Sequence, residues 1–167
     1  MLAEKQFSTE YAVRRLRKND VDRVLRLCVN NELYYQYCPP MVSRETICEE
    51  MAELPPGMGP ESKYYVGYFD GERMIALLDL IEGYPEKDIA FIGLFMTEKE
   101  IQNRGVGTGI ITQVLEYLKT SGFRAVRLAW VKGNPQSEHF WLKNGFSVIR
   151  ETTSTAAESV ILAERLL

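Results

Sequence analysis

The stretch Gln102-Asn103-Arg104-Gly105-Val106-Gly107-Thr108-Gly109 separates two segments of different periodicity. Upstream, the apolar run Ile89 to Met96 is short, continuous and rich in branched and aromatic residues, which predicts a fully buried strand. Downstream, Ile110, Ile111, Val114, Leu115, Tyr117 and Leu118 recur at helical spacing and share one face. The glycines therefore lie where a strand hands over to a helix. The first N–H groups of a helix lack internal partners and carry the positive end of its dipole, so they make an anion site. Gly105, Gly107 and Gly109 put no side chain between a phosphate and those N–H groups, and the expectation is a phosphate cradle.

Two familiar cradles do not fit. A P-loop carries Lys and then Ser or Thr after its second glycine, whereas Ile110 follows Gly109 here. A dinucleotide-binding turn begins with glycine directly after the strand, whereas the polar segment Thr97 to Arg104 intervenes. A glycine-rich strand-to-helix connection can also be no more than a tight turn, so the rest of the chain has to decide.

A chain of 167 residues is most simply one domain, 1–167, and large enough to bury about 70% of its unfolded surface. With 46% hydrophobic and 26% charged residues it has the composition of an ordinary globular protein. No apolar run approaches spanning length and Met1 to Gln6 is too polar for a signal peptide, so a cytoplasmic protein without a membrane partner is expected. Cys28, Cys38 and Cys48 are odd in number and form no C-x-x-C pair, which suggests neither a disulfide framework nor a metal site. A net charge of −3 with scattered basic residues gives no footprint for nucleic acid. A small molecule, or a cationic group on a peptide, is the expected partner; a homodimer stays open.

From the N-terminus, Tyr11 to Leu16 reads as a strand and Asn19-Asp20 as the cap of a helix with Val21, Val24, Leu25 and Cys28 on one face. The tyrosine-rich segment Asn30 to Pro40 is polar, and its two prolines argue against an uninterrupted helix. Ser43 caps a second helix with Ile47, Met51 and Leu54 on one stripe, closed by Pro55-Pro56-Gly57. Tyr64 to Phe69 pairs through Asp70-Gly71 with Met74 to Ile81, and Gly83-Tyr84-Pro85 turns the chain into Ile89 to Met96. After the long helix, Ser121-Gly122 is a stop and Ala125 to Val131 a strand, parallel to the one before the helix because a crossover returns that way. Asn134-Pro135 opens a short helix that ends at Asn144-Gly145, and Phe146 to Glu151 and Ser159 to Leu166 are the last strands.

This element order, with the Gln-x-x-Gly-x-Gly stretch at its centre, resembles the whole GNAT N-acetyltransferase fold. A second motif supports the likeness: Asn134-Pro135-Gln136-Ser137 and Trp141-Leu142-Lys143-Asn144-Gly145-Phe146 resemble the family's Asn-x-x-Ala…Tyr-x-Lys-x-Gly-Phe segment. The resemblance implies an α/β (α+β) architecture: a mixed, mostly antiparallel sheet of about seven strands with a splayed parallel pair and four flanking helices. It implies acetyl-CoA as cofactor, no metal, and acetyl transfer to a primary amine of a small molecule or peptide. Backbone groups of Phe95, Met96 and Thr97 would pair with pantetheine as a sheet edge does. The pyrophosphate would take N–H groups of Asn103, Arg104, Gly105, Val106, Gly107 and Thr108, helped by Gln102 or Arg104 and the Thr108 hydroxyl. Asn134, Ser137 and Trp141 would border the pantetheine arm, with Asn134 equally readable as a helix cap.

Two departures from the family pattern concern the chemistry. Where many members carry a tyrosine acid, this chain has Trp141, whose indole does not titrate usefully. Where histone-type members carry a glutamate base, counting back from Gly105 gives Phe91. Asp79 and Glu82 on the neighbouring strand are then the candidate bases, with Asp88 at the hairpin, and the Met96 N–H is the candidate oxyanion donor. His139 is expected to be exposed. Tyr34, Tyr35, Tyr37 and Tyr84 are the candidate acceptor-pocket residues, with Glu32, Glu45 and Glu49 nearby to suit a cation. The missing tyrosine and glutamate leave a second reading open, a CoA-binding module of the same fold with weak or no catalysis.

Overall fold

The computed structural model describes residues 1–155 and 158–167. Its strands are β1 (Ala12–Arg15), β2 (Lys63–Asp70), β3 (Arg73–Glu82), β4 (Ile89–Thr97), β5 (Ala125–Val131), β6 (Ser147–Thr153) and β7 (Ser159–Leu166). Its helices are α1 (Val21–Val29), α2 (Glu32–Tyr37), α3 (Arg44–Ala52), α4 (Val106–Thr120) and α5 (Pro135–Lys143). The strands form one seven-stranded sheet in the order β1-β2-β3-β4-β5-β7-β6. Strands β4 and β5 are parallel, and the other neighbours in the sheet are antiparallel. The expected architecture is thus present, with α2 as a fifth helix inside the tyrosine-rich segment.

Strands β2 and β3 are buried on both faces, so they read as nearly continuous apolar runs. One face of the sheet carries α4, whose Ile110, Ile111, Val114, Leu115 and Leu118 sit against Ala90, Ile92, Val126 and Leu128. Each such side chain contributes about 1.5–3 kcal/mol on leaving water. The other face carries α1, α2 and α3, with Val24, Cys28, Tyr35 and Ile47 packed around Tyr65, Leu77 and Met96.

Local chemistry sets the ends of these elements. Ser43 caps α3: its hydroxyl accepts from the Thr46 N–H at 3.2 Å while the Thr46 hydroxyl accepts from the Ser43 N–H at 2.9 Å. The β2–β3 loop is Gly71-Glu72, one residue later than the Asp70-Gly71 reading, because Asp70 pairs with Arg73 and Gly71 takes a φ of +59°. Helix α4 stops as expected at Ser121-Gly122, where the Phe123 N–H returns to the Leu118 carbonyl at 3.1 Å and Gly122 has a φ of +91°. Helix α5 stops by the same motif: Phe146 N–H bonds the Trp141 carbonyl at 3.1 Å, and the two rings meet edge-on at 5.2 Å. The Gly-Phe of the second motif is therefore first of all a helix terminator.

Asp20 does not cap α1 as its position suggests. Its buried carboxylate accepts two bonds from Arg14, at 2.7 and 2.9 Å, and one from the Arg17 N–H at 3.0 Å. The hydrogen bonds from Arg14, then the Arg17 N–H, hold its carboxyl down at about 2 against an ordinary 3.8. A depressed pKa stabilises the fold above the ordinary value and loses that contribution as pH falls through the depressed one. Asp20→Asn is therefore expected to cost about 2 kcal/mol at neutral pH and to flatten the stability curve between about pH 4 and 2. Urea titrations across that range check it, and a variant as acid-sensitive as the parent would refute the assignment.

Candidate active site

Strands β4 and β5 pair only from Ile89↔Ala125 to Ile92↔Leu128. Beyond that point β4 runs on to Thr97 and β5 to Val131 without further pairing, so a wedge opens at the C-terminal ends of this parallel pair. The cause lies in β4 itself. Its pairing with β3 steps from Leu80↔Ile92 to Asp79↔Leu94, leaving Gly93 as an extra residue. A bulge bends its strand and increases the local twist. Gly93 is exposed although it lies in a central strand, and a Cβ there would stand 3.1 Å from Asp79 Oδ2. From Leu94 to Thr97 the β3 side of β4 is paired, and its other edge faces the wedge.

The glycine stretch follows directly. Asn103 and Gly105 take φ values of +60° and +82°, which swing the backbone into the mouth of α4. The first bonded N–H there is that of Gly109, to the Gly105 carbonyl at 2.9 Å. Among the described residues, no N–H from Asn103 to Thr108 reaches a carbonyl or side-chain acceptor. Arg104 is exposed and forms no ion pair among the described residues. A Cβ on Gly107 would lie 3.3 Å from the Phe140 ring, 3.5 Å from Phe95 and 3.5 Å from Thr97 Cγ2, so a larger side chain would crowd the point where cradle and wedge meet. These features suit an anion on the helix mouth, as a diphosphate requires.

Asn134 is 1% exposed and its Oδ1 accepts from the N–H groups of Gln136, at 3.1 Å, and Ser137, at 3.2 Å. It is the cap of α5, with Nδ2 making no hydrogen bond among the described residues, so capping leaves a donor over. Trp141 is buried among Phe146, Phe140 and Phe95 in the core cluster that includes α4. Phe140 is the aromatic nearer the surface, stacked on Phe95 at 5.7 Å with planes 23° apart. A groove of about 800 Å³ runs beside the α4 mouth between Thr108, Thr112, Lys143, Asn144 and Arg165.

The candidate bases separate. Glu82 pairs opposite Ala90 at the start of β4, the end away from the wedge, and accepts from the Met1 ammonium at 3.0 Å, the Leu2 N–H at 3.0 Å and the Tyr64 hydroxyl at 2.8 Å. Burial opposes its charge, but these donors outweigh that cost and hold its carboxyl below the usual range. Glu82 is thereby an anchor for the N-terminal segment. Asp88 is exposed and bound to Arg124 at 2.7 Å. Asp79 lies on the helix-α3 side of the sheet, opposite Tyr65, and its Oδ2 accepts from buried Lys63 at 2.9 Å. Its Oδ1 is buried without a partner among the described residues, and burial raises its carboxyl against the pull of Lys63.

Tyr34 and Tyr35 meet edge-on at 5.0 Å in the cluster that contains Met96. Burial raises both hydroxyls, with the Cys38 and Cys28 thiols beside them. Tyr37 is half-buried at the end of α2. Tyr84 does not join them: it packs edge-on against Phe91 at 5.7 Å, at the start of β4. At about 3.3 Å per residue that is roughly 20 Å from Met96. Phe91 itself lies in the paired part of β4, opposite Arg127, and His139 is exposed.

Two residues enter that the sequence reading missed. Glu50 on α3 is half-buried with Oε2 3.4 Å from the Tyr65 hydroxyl; burial raises its carboxyl, and its charge is felt by Tyr34, Tyr35, Cys28 and Cys38. Glu50 adjoins Met51 and follows Ile47 by one turn, so its place beside the apolar stripe was a usable signal. The other is Asn31, at the α1–α2 junction, which no local pattern marks.

A seven-stranded mixed sheet whose parallel pair parts beside a glycine-lined helix mouth defines the acyl-CoA N-acyltransferase fold. Residues 30–146, well over half of the chain, match the model of the Acetyltransferase (GNAT) family, and the chain belongs to that family. Solved structures agree on the fold. An acetyltransferase from Thermus thermophilus superposes with a TM-score of 0.74 at 19% identity, over 94% of this chain and 97% of that one. A PaiA N-acetyltransferase from Thermoplasma acidophilum, solved in complex with coenzyme A, gives 0.67 at 15% identity over 94% and 99%. A spermidine N-acetyltransferase chimera from Vibrio cholerae and hSSAT gives 0.69 at 20% identity over 95% and 96%. No curated protein sequence matches this chain.

Proposed function

We propose that the chain transfers an acetyl group from acetyl-CoA to a primary amine of a small molecule or peptide. The observation that carries this reading is the coincidence of the wedge with the cradle: strand pairing ends after Ile92 and Leu128, and Gly107 in the first turn of α4 lies against Phe95 and Thr97 of the unpaired part of β4. When bound, acetyl-CoA supplies an acetyl thioester, a carbonyl activated toward nitrogen. The diphosphate rests on the N–H groups of Asn103 to Thr108 with Arg104 alongside, and pantetheine pairs with the open edge of β4 at Phe95, Met96 and Thr97. Asn134 donates its spare amide to that arm, beside Ser137. The groove past Thr108 and Thr112 toward Lys143 receives the adenosine end.

The chain's own groups then handle charge and protons. The Met96 N–H turns toward Leu77 of β3, so the N–H of its neighbour Phe95, on the open edge of β4, meets the charge that develops on the thioester oxygen. A lysine-like amine must lose its proton before attack, which at neutral pH costs about 4–5 kcal/mol. Glu50 takes that proton, through water, from an amine held among Tyr34, Tyr35 and Tyr37; Asp79 lies behind it, neutralised by Lys63. A thiol with a pKa near 8.5 departs tolerably as thiolate, so Trp141 in place of a tyrosine does not block the reaction.

Thiol release from acetyl-CoA over a panel of polyamines, aminoglycosides, amino acids and peptide N-termini tests the reading. At least one class is expected to stimulate release, and Glu50→Gln to lower kcat/KM for that amine by roughly 100-fold at pH 7. Tight CoA binding with no stimulation by any amine would favour the binding-module alternative.

A further inference from the structure

Asn31 is a buried amide at the junction of α1 and α2, and each of its polar atoms is engaged. Its Nδ2 donates to the Leu27 carbonyl at 2.9 Å and, across the sheet, to the Thr97 carbonyl at 3.1 Å. Its Oδ1 accepts from Gln102 Nε2 at 2.7 Å, and the same Gln102 nitrogen also donates to the Thr97 carbonyl at 3.1 Å. Gln102 Oε1 in turn accepts from Gln136 Nε2 on α5 at 3.3 Å. A chain of three amides thus links the acceptor-side helices, the last residue of β4, the start of the cradle and the first turn of α5.

We propose that Asn31 is a positioning residue for acetyl-CoA binding: it holds Gln102 and the end of β4 so that the N–H groups of Asn103 to Thr108 converge. The physical grounds are the two positive-φ residues, Asn103 and Gly105, that follow Gln102. A backbone turn of that kind keeps one shape only if its entry point is fixed, and the Asn31–Gln102–Thr97 triangle fixes it on two sides. Both amide groups of the triangle are spoken for, so Gln102 serves the diphosphate by setting the loop and not by direct contact. A buried amide network of this kind acts as a unit, so removing either member removes most of its effect. The inference rests on the function proposed above.

The test is CoA affinity by calorimetry, with KM values for acetyl-CoA and amine, in the wild-type chain, Asn31→Ala, Gln102→Leu and the double variant. Each single change is expected to weaken CoA binding about tenfold, and the double change to be no weaker than the poorer single one. KM for acetyl-CoA should rise in step, while kcat at saturating acetyl-CoA and KM for the amine stay within about twofold, which a general loss of structure would not produce. Asn31→Asp, which keeps the acceptor for Gln102 but loses both donated bonds, covers the case in which the alanine variant fails to fold, and should fall between wild type and Gln102→Leu. Wild-type binding with Asn31 variants of unchanged affinity would overturn the inference alone, as would additive losses in the double variant. A wild-type chain that binds no CoA would overturn the proposed function and the inference with it.

Discussion

Gly107→Val is expected to weaken CoA binding by about 100-fold. The change places branched carbons where even a Cβ would lie 3.3 Å from the Phe140 ring and 3.5 Å from Phe95 and Thr97. Forcing extra carbons into a filled site costs about 1–3 kcal/mol, and each 1.4 kcal/mol is a factor of ten in affinity. The strain falls where the helix mouth meets the wedge, so it displaces the cradle N–H groups and narrows the entrance together. Gly109→Ala is the matched control. Two residues along the same helix, its Cβ would meet nothing within 4 Å, and its φ is not positive. That variant should lose far less CoA affinity than Gly107→Val and gain about 0.5–1 kcal/mol of stability from helix propensity. Calorimetric titration with CoA, beside urea unfolding of both variants, checks the pair; equal affinities in the two would remove Gly107 from the site.

Lys63→Met is expected to cost about 3–5 kcal/mol of folding stability at neutral pH, because it strips the partner from a buried carboxylate. Lys63 is 7% exposed and donates to Asp79 Oδ2 at 2.9 Å and to the Glu53 carbonyl at 2.9 Å. Asp79 Oδ1 has no partner among the described residues to compensate when the lysine goes. The loss should shrink as pH falls: burial already raises the Asp79 carboxyl, removing Lys63 raises it further, and a group with a raised folded-state pKa regains stability on protonation. Asp79→Leu alone should be comparably harmful, since it leaves the lysine charge buried. The double variant Lys63→Met with Asp79→Leu should recover most of the loss, because a buried ion pair can be exchanged for apolar packing at little net cost. Urea unfolding at pH 5 and 8 reads all four combinations; additive losses would show that the two side chains do not act as a pair.

What could be read beforehand follows from how local each signal is. The strand, glycine stretch and helix around Gly105 are contiguous, and periodicity plus missing side chains sufficed to find them. Ser43 and Asn134 were legible because a cap acts within three residues. Glu82 was misread because its partners, Leu2 and the Met1 ammonium, reach it from the far end of the chain, and no pattern near residue 82 reports them. Tyr84 was misplaced because its position depends on which end of β4 opens, a matter of register and of the bulge at Gly93. Helix α2 was missed because its six residues fall in a segment whose prolines and polar residues speak against helix. Asn31 looked like one more polar residue in that segment; its bond to Thr97 spans 66 positions.

The most direct test is a backbone amide NMR titration with CoA. The N–H resonances of Gly105 to Thr108 are expected to shift strongly and gain exchange protection, together with those of Leu94 to Thr97 along the open edge of β4, while Ile89 to Ile92 stay unchanged. Saturable CoA binding that leaves both the α4 mouth and the β4 edge unperturbed would contradict this expectation.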